Sequence, residues 1–184
     1  VGRNSVLLLN IPPDRRGRIA EADVARLREF RAFIDGLYAT DFVKTATVAP
    51  DGQSNSITLA QLTDGKPDTC WTLGGEQTKG QVEFDLGQPR TFNTARIQEN
   101  IALGERVQAY RVEAFEDGKW RCITAGAVIG QKQLRRFPAV TARRVRLVID
   151  QASAPPAIAE FGLHFNPLAP TGSGAVTANR PATA

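Results

Sequence analysis

From Phe42 to Phe165 the chain is written in the two-residue period of a half-buried sheet, and this constrains its fold more than any other feature. Gln81-Val82-Glu83-Phe84-Asp85-Leu86 alternates polar and apolar without a break, and Tyr110-Arg111-Val112-Glu113-Ala114 repeats the pattern. Successive strand side chains point to opposite faces, so each segment has a wet side and a dry side. Glu116-Asp117-Gly118-Lys119 is an Asp-Gly hairpin signal leading into Trp120-Arg121-Cys122-Ile123. Further strands are predicted at Leu134–Phe137, Val145–Ile149 and Phe161–Phe165. Short strands parted by turn residues predict an antiparallel β-sandwich, and about 120 residues suffice for one core. The chain is expected to be mainly β.

The flanks read differently. Ser5-Val6-Leu7-Leu8-Leu9-Asn10-Ile11 is a continuous apolar run, the signature of a strand buried on both faces as in parallel sheets. Pro12 to Arg18 is turn-rich, and Glu21 to about Leu37 carries Val24, Leu27, Phe30, Ile34 and Leu37 at helical spacing. Glu21 and Asp23 sit in the first turn, where the helix dipole favours negative charge. One buried strand cannot make a parallel sheet alone. Residues 1–40 are therefore expected to be the remnant of an α/β domain whose other strands lie upstream. The sandwich is expected over 41–166, and 167–184, rich in Pro, Ala, Thr and Gly, as a disordered tail. The sequence holds no Met and starts at Val1, so it reads as a piece of a longer protein, in which missing targeting signals carry no information.

Charge and cysteine content narrow the partners. The net charge of +4 is concentrated at Arg135-Arg136 and Arg143-Arg144-Val145-Arg146. There, basic and apolar residues partly alternate, as on a strand with one wet face, and no nucleic-acid motif accompanies them. Neither nucleic acid nor membrane is expected as a partner: no run of about 18 apolar residues exists. Cys70 and Cys122 fit either buried thiols or one disulfide, with thiols the simpler reading. His164, the only histidine, reads as a strand side chain.

Chemistry concentrates in Leu62-Thr63-Asp64-Gly65-Lys66-Pro67-Asp68-Thr69-Cys70-Trp71, answered far downstream by Pro155-Pro156-Ala157-Ile158-Ala159-Glu160. Calcium takes six to eight oxygens from carboxylates, carbonyls and hydroxyls. Asp64 offers a carboxylate, Gly65 lets the Lys66 carbonyl turn inward, and Thr69 has a hydroxyl and a carbonyl. Glu160 adds a second negative charge and Ala159 a carbonyl. The simpler reading is an Asp-Gly turn with an unrelated Glu. The paired Glu and trailing Trp favour a structural Ca2+ site.

These elements resemble, in order, those of the factor V/VIII type C domain, the discoidin-like β-sandwich (jelly roll) shared with carbohydrate-binding module family 32. The matching residues are Leu62-Thr63-Asp64-Gly65 with Thr69 and Trp71, Val82 to Gly87, Tyr110 to Glu113, Gly118-Lys119-Trp120, Ile129-Gly130, Arg144 to Leu147 and Ala159-Glu160. The resemblance implies calcium ligands at Asp64, Lys66 (carbonyl), Thr69, Ala159 (carbonyl) and Glu160. Lys66 departs from the Asp or Asn often found there, which a backbone ligand tolerates.

Gly2 to Asp14, Gly17-Arg18-Ile19 and Glu21 to Leu27 are similar to the last strand and helix of the catalytic (β/α)8-type barrel in glycoside hydrolase family 29, the α-L-fucosidases. In the branch of that family with a discoidin-like domain after the barrel, Gln98-Glu99-Asn100-Ile101 and Ile129-Gly130-Gln131-Lys132 have close counterparts. The resemblance implies the C-terminal part of a retaining fucosidase, with the barrel in cis, fucosylated glycans as partners and a periplasmic or extracellular location. The two carboxyl groups such enzymes need come from earlier barrel strands, so no catalytic residue is expected here. Asp14 reads as a turn former and Glu21 as a dipole partner. Asn10, at a strand's C-terminal end, is a candidate for the active-site rim. Candidate glycan contacts on the sandwich are Trp71, Gln98, Glu99, Asn100 and Arg106, although both Trp71 and Trp120 read more readily as core. The rival reading is a stand-alone calcium-stabilised carbohydrate-binding module.

Overall fold

A computed structural model describes residues 7–49 and 59–168. Within them lie helix α1 (Glu21–Tyr38) and strands β1 (Thr47–Ala49), β2 (Trp71–Thr72), β3 (Gly80–Glu99), β4 (Val107–Glu116), β5 (Lys119–Gly126), β6 (Gln133–Ala152) and β7 (Ala157–His164). All strand pairings are antiparallel, as the alternating segments predict.

Two long strands make the sandwich. β3 and β6 each run for 20 residues and take part in both layers. In one layer the first part of β3 lies between β1 and the last part of β6, which pairs on to β4 and then β5. In the other, the last part of β3 lies between the first part of β6 and β7, with β2 at the edge. The register breaks between Asp85 and Arg90 and again between Phe92 and Thr94 mark where β3 changes layer. At the first break the Asp85 carboxylate accepts a 2.8 Å hydrogen bond from the Gly87 amide. Val82 and Phe84 from one half of β3, and Phe92 and Ile97 from the other, are fully buried. The layers meet in a stack of Phe84 on Phe161 with ring centres 5.0 Å apart.

The sequence expectations meet this fold unevenly. The hairpin forms where Asp-Gly stands: Asp117 and Gly118 both have positive φ (49° and 77°), and Glu116 pairs with Lys119. The segments expected at 134–137 and 145–149 are joined in β6, and residues 91–99 prolong β3 although no strand was expected there. Helix α1 stands where its spacing predicts, yet only Leu37 of it is buried. The buried strand expected at Ser5–Ile11 is corrected over its described part, Ser5 and Val6 lying outside the described residues: residues 7–11 are irregular, and Leu7, Leu8 and Leu9 are exposed. A strand of that type is held by neighbours on both sides, and among the described residues it has none. Asp14 closes a turn, accepting from the Arg16 and Arg18 amides, while Pro13 bridges Ile19. Cys70 and Cys122 are free, one half-buried and the other exposed, which corrects the expectation of buried thiols. The tail expected from 167 lies outside the described residues beyond Leu168.

Because Phe84 and Phe161 close the space between the layers, Phe84→Ala should destabilise the domain by about 3–5 kcal/mol. Urea denaturation followed by tryptophan fluorescence measures the loss.

Candidate cation loop and its buried support

The loop that carries Asp64 is pinned at both ends by burial. Leu62 closes the short 3-10 turn Leu59–Leu62 and Trp71 opens β2, and both are inside the core. Trp71 pairs with Ile158 of β7. Between these anchors the chain folds around the Asp64 carboxylate, which accepts from the Lys66 amide (2.9 Å) and lies 2.8 and 2.9 Å from the Thr69 hydroxyl. The same hydroxyl is 3.3 Å from the Lys66 carbonyl oxygen. Gly65 has φ of 79°, a conformation other residues adopt with strain. Its amide donates to Oε1 of Glu160. Thus Asp64, Lys66, Thr69 and Glu160 meet in space although Gly65 and Glu160 lie 95 positions apart.

Strand β7 carries the other two residues expected in the set, Ala159 and Glu160. Its register against β3 slips between Gln98↔Glu160 and Glu99↔Ile158, so Ala159 is the extra residue of a bulge. A bulged residue is left out of the ladder, and this is the residue whose carbonyl was expected to be a ligand. Asp64 is held below the usual carboxylate range, chiefly by the Lys66 amide and then the Thr69 hydroxyl. Burial pushes Glu160 the other way, against the pull of Arg96, and the Asp64 and Asp41 charges add to the rise.

Behind the loop is a buried polar cluster. Phe161 and Leu163 of β7 enter the core, while Glu160, Gly162 and His164 share the opposite face. Arg96, in register with Gly162, donates to Glu160 Oε2 at 2.9 Å and lies 3.5 Å from Asp41 Oδ2. The other Asp41 oxygen accepts from the Val43 and Leu163 amides. His164 Nδ1 is 2.8 Å from the Thr40 carbonyl, and the ring meets Tyr38 edge-on at 5.0 Å. A Cβ at Gly162 would stand 2.4 Å from Asp41 Oδ2, so only glycine leaves room for this approach.

The candidate glycan contacts are drawn to different tasks. Trp71 is 1% exposed, which corrects its candidacy: no sugar reaches a ring inside the core. Glu99, also buried, accepts from the Arg106, Val107 and Gly130 amides and so ties two loops together. Asn100 caps the turn Ile101–Leu103 and donates to the Asp68 carbonyl of the cation loop. The Arg106 guanidinium donates to the carbonyls of Leu103 and Pro155. Gln98 is half-buried, in register with Glu160. These residues gather at one end of the sandwich with the cation loop. Asn10 is exposed and stands apart from them, in a crevice beside Leu27 and Phe30 of α1. Trp120 is half-buried, with the Arg146 and Arg144 guanidinium groups 4.3 and 5.4 Å from its ring centre. Sequence reasoning missed Arg96 and Asp41. The first lies in the unforeseen half of β3, and nothing in the sequence links the second to β7.

Residues 44–161 match the F5/8 type C domain family. The chain belongs to that family. It is also similar over 90% of its length to alpha-L-fucosidase 1 of Arabidopsis thaliana, at 29% identity, covering 34% of that protein. Among solved structures it is similar to SpGH29, with 34% identity and a TM-score of 0.78 over 90% of this chain and 37% of the other. A Ruminococcus gnavus GH29 fucosidase in complex with fucose gives 27% identity and a TM-score of 0.79, over 90% of this chain and 34% of that one. The chain spans about a third of the length of the curated relatives it matches.

His164 gives the F5/8 type C domain a pH dependence whose sign is fixed. Burial holds the imidazole below its usual value near 6.5, a fall that the Asp41 charge and the Thr40 carbonyl oppose without cancelling. Between its folded pKa and 6.5 the unfolded chain binds more protons, so stability falls on acidification through that window. The raised Glu160 acts in the opposite sense, in wild type and variant alike. His164→Gln should therefore lose less stability than wild type from pH 6.5 to 5, measured by urea midpoints at each pH.

Proposed function

We propose that this chain is the C-terminal accessory region of an α-L-fucosidase, in which the F5/8 type C sandwich supports a catalytic barrel carried by the same polypeptide. One observation carries the reading. The family match takes in residues 44–161, whereas similarity to fucosidases covers 90% of the chain and so runs beyond the sandwich. A stand-alone binding module with an incidental N-terminal remnant would have no reason to keep that similarity. The exposed apolar residues Leu7, Leu8, Leu9, Ile19 and Phe30 supply a second support, because they form the surface a partner domain in cis would cover. The parent enzyme would release α-L-fucose from glycans, with its two catalytic carboxyl groups in the barrel. Glycan contact by the sandwich would be made at its loop end, beside Gln98 and Asn100.

Calcium is the second part of the proposal. The residues suit the ion: the Asp64 carboxylate and the Lys66 carbonyl lie within hydrogen-bond distance of the Thr69 hydroxyl, Glu160 reaches the loop through the Gly65 amide, and Ala159 stands out of the ladder at the bulge. Asp64, Lys66, Thr69, Ala159 and Glu160 would hold it, and the ion would replace the hydrogen bonds that now fasten the loop to β7. The ion's part would be structural, fastening the loop to β7. A periplasmic or extracellular location belongs to the same reading, because modules of this kind in calcium-rich fluid need only submillimolar affinity.

Two measurements test these parts separately. Calcium at a hundredfold excess over its Kd should stabilise the chain by about 2.7 kcal/mol, seen as a Tm several degrees above that in chelator. Asp64→Asn should abolish the rise, and an unchanged melt in the wild type would remove calcium. For the enzyme reading, the 184-residue chain should release no phenol from an aryl α-L-fucoside, whereas the longer polypeptide including the upstream region should do so. Inactivity of the longer polypeptide towards every α-L-fucoside would overturn the assignment.

A further inference from the structure

We propose that Asp41 is a positioning residue for the candidate cation loop, acting through Arg96: it offsets the positive charge that Arg96 places against the site, so that the site keeps the negative charge a divalent ion needs. The inference rests on the calcium reading above.

The argument begins with an apparent conflict. Glu160 offers one oxygen to the loop, through the Gly65 amide, while its other oxygen is already held by the Arg96 guanidinium at 2.9 Å. A fixed cation in contact with a metal ligand repels the metal. With Asp64, Glu160 and Arg96 alone, the local charge would be a single negative unit, a poor match for a divalent ion. Asp41 changes the sum. Its Oδ2 lies 3.5 Å from the same guanidinium, bringing the four groups to two negative units. The Lys44 and Lys66 ammonium groups nearby are exposed, where solvent screens them.

Burial makes this placement hard to explain as surface chemistry. The side chains of Asp41 and Glu160 are 3% and 2% exposed. Asp41 is oriented by two amides on its other oxygen, leaving Oδ2 without a hydrogen bond and aimed at Arg96. Gly162 keeps the path open, since a Cβ there would strike that oxygen. The neighbouring His164 ring, 3.8 Å from Oδ2, is buried and anchored through Nδ1 to the Thr40 carbonyl. Asp41 stands three residues beyond the end of α1 in sequence, and so the segment leading from the helix helps set the charge of a loop on the sandwich.

Asp41→Asn is the incisive change. It keeps the oxygen that accepts from Val43 and Leu163 and turns Oδ2 into an uncharged amide facing Arg96. Calcium titration calorimetry on the whole chain, at fixed pH and ionic strength, should give a Kd roughly tenfold weaker than wild type. Asp85→Asn, which removes the half-buried partner of the exposed Arg143 in the same domain, should leave the Kd unchanged. Should Asp41→Asn fail to fold, Arg96→Gln serves instead, since removing the opposing cation should tighten calcium binding. Equal affinities of wild type and Asp41→Asn, or an equal loss in Asp85→Asn, would overturn the inference while leaving the calcium site intact. So would an Arg96→Gln chain that binds no more tightly. A wild-type chain that binds no calcium would instead remove the calcium reading itself, and this inference with it.

Discussion

The structure depends on one guanidinium. Arg96 stands between two carboxylates that are almost wholly removed from water, Asp41 and Glu160. Burying an isolated charge costs several kcal/mol, and removing one partner of a buried pair typically costs about 3–5 kcal/mol. Arg96 is therefore what allows the outward face of β7 to be covered. Every residue of β7 is buried, which is unusual for an antiparallel strand near an edge. One face of it is core. The other is roofed by the segment after α1 and by the Asp64 loop, both of which reach it through polar contacts to Glu160, Leu163 and His164. The central charge lies between the two carboxylates, Asp41 and Glu160, through which the roofing segments reach β7.

The sandwich was legible in the sequence where one face of a strand is wet. Gln81 to Leu86 and Tyr110 to Ala114 alternate because their polar residues face solvent or ion-pair partners, as Arg111 does with Glu113 and Arg144 with Glu83. Phe92 to Glu99 was not legible, because both of its faces are covered: Phe92, Ala95 and Ile97 lie in the core, and on the other face Thr94 is buried and Arg96 half-buried. A strand buried on two sides loses the polar half of its alternation. The same reasoning, run in reverse, misread Val6 to Ile11. A continuous apolar run states that something covers it, but not that the cover lies within the described residues.

The site was legible in part for a related reason. Asp64, Gly65 and Thr69 stand close enough for local turn chemistry to announce them, and a Glu before the last apolar strand completed the set. Their support was invisible. Asp41 reaches Leu163 across 122 positions of sequence, and no local pattern marks a residue whose partner is chosen by strand pairing. Glu99 and Asn100 were noticed as polar residues at a loop, and such residues are drawn as readily to backbone amides as to ligands. Here the amides of Arg106, Val107 and Gly130 take the Glu99 carboxylate.

Where a partner can approach follows from what is already covered. On the layer containing β4 and β5, Arg144 and Arg146 lie over Phe115 and Trp120 while bound to Glu83 and Glu113, so aromatic faces that might have stacked on a sugar are occupied by the protein itself. On the other layer the roof hides β7. The loop end remains open for small ligands, and the helix remains open for a domain. Helix α1 buries only Leu37 and carries its ion pairs, Arg26–Glu29 and Arg31–Asp35, on its wet side. An isolated helix of this length is marginal in water, since most helical stability comes from packing of the apolar face. With Val24, Leu27 and Ile34 only half-buried and Phe30 exposed, that packing is incomplete. The helix is thus the element whose stability depends most on the rest of the polypeptide. Beyond its C-terminal end the chain reaches Asp41, whose contact with Leu163 joins the segment after the helix to β7.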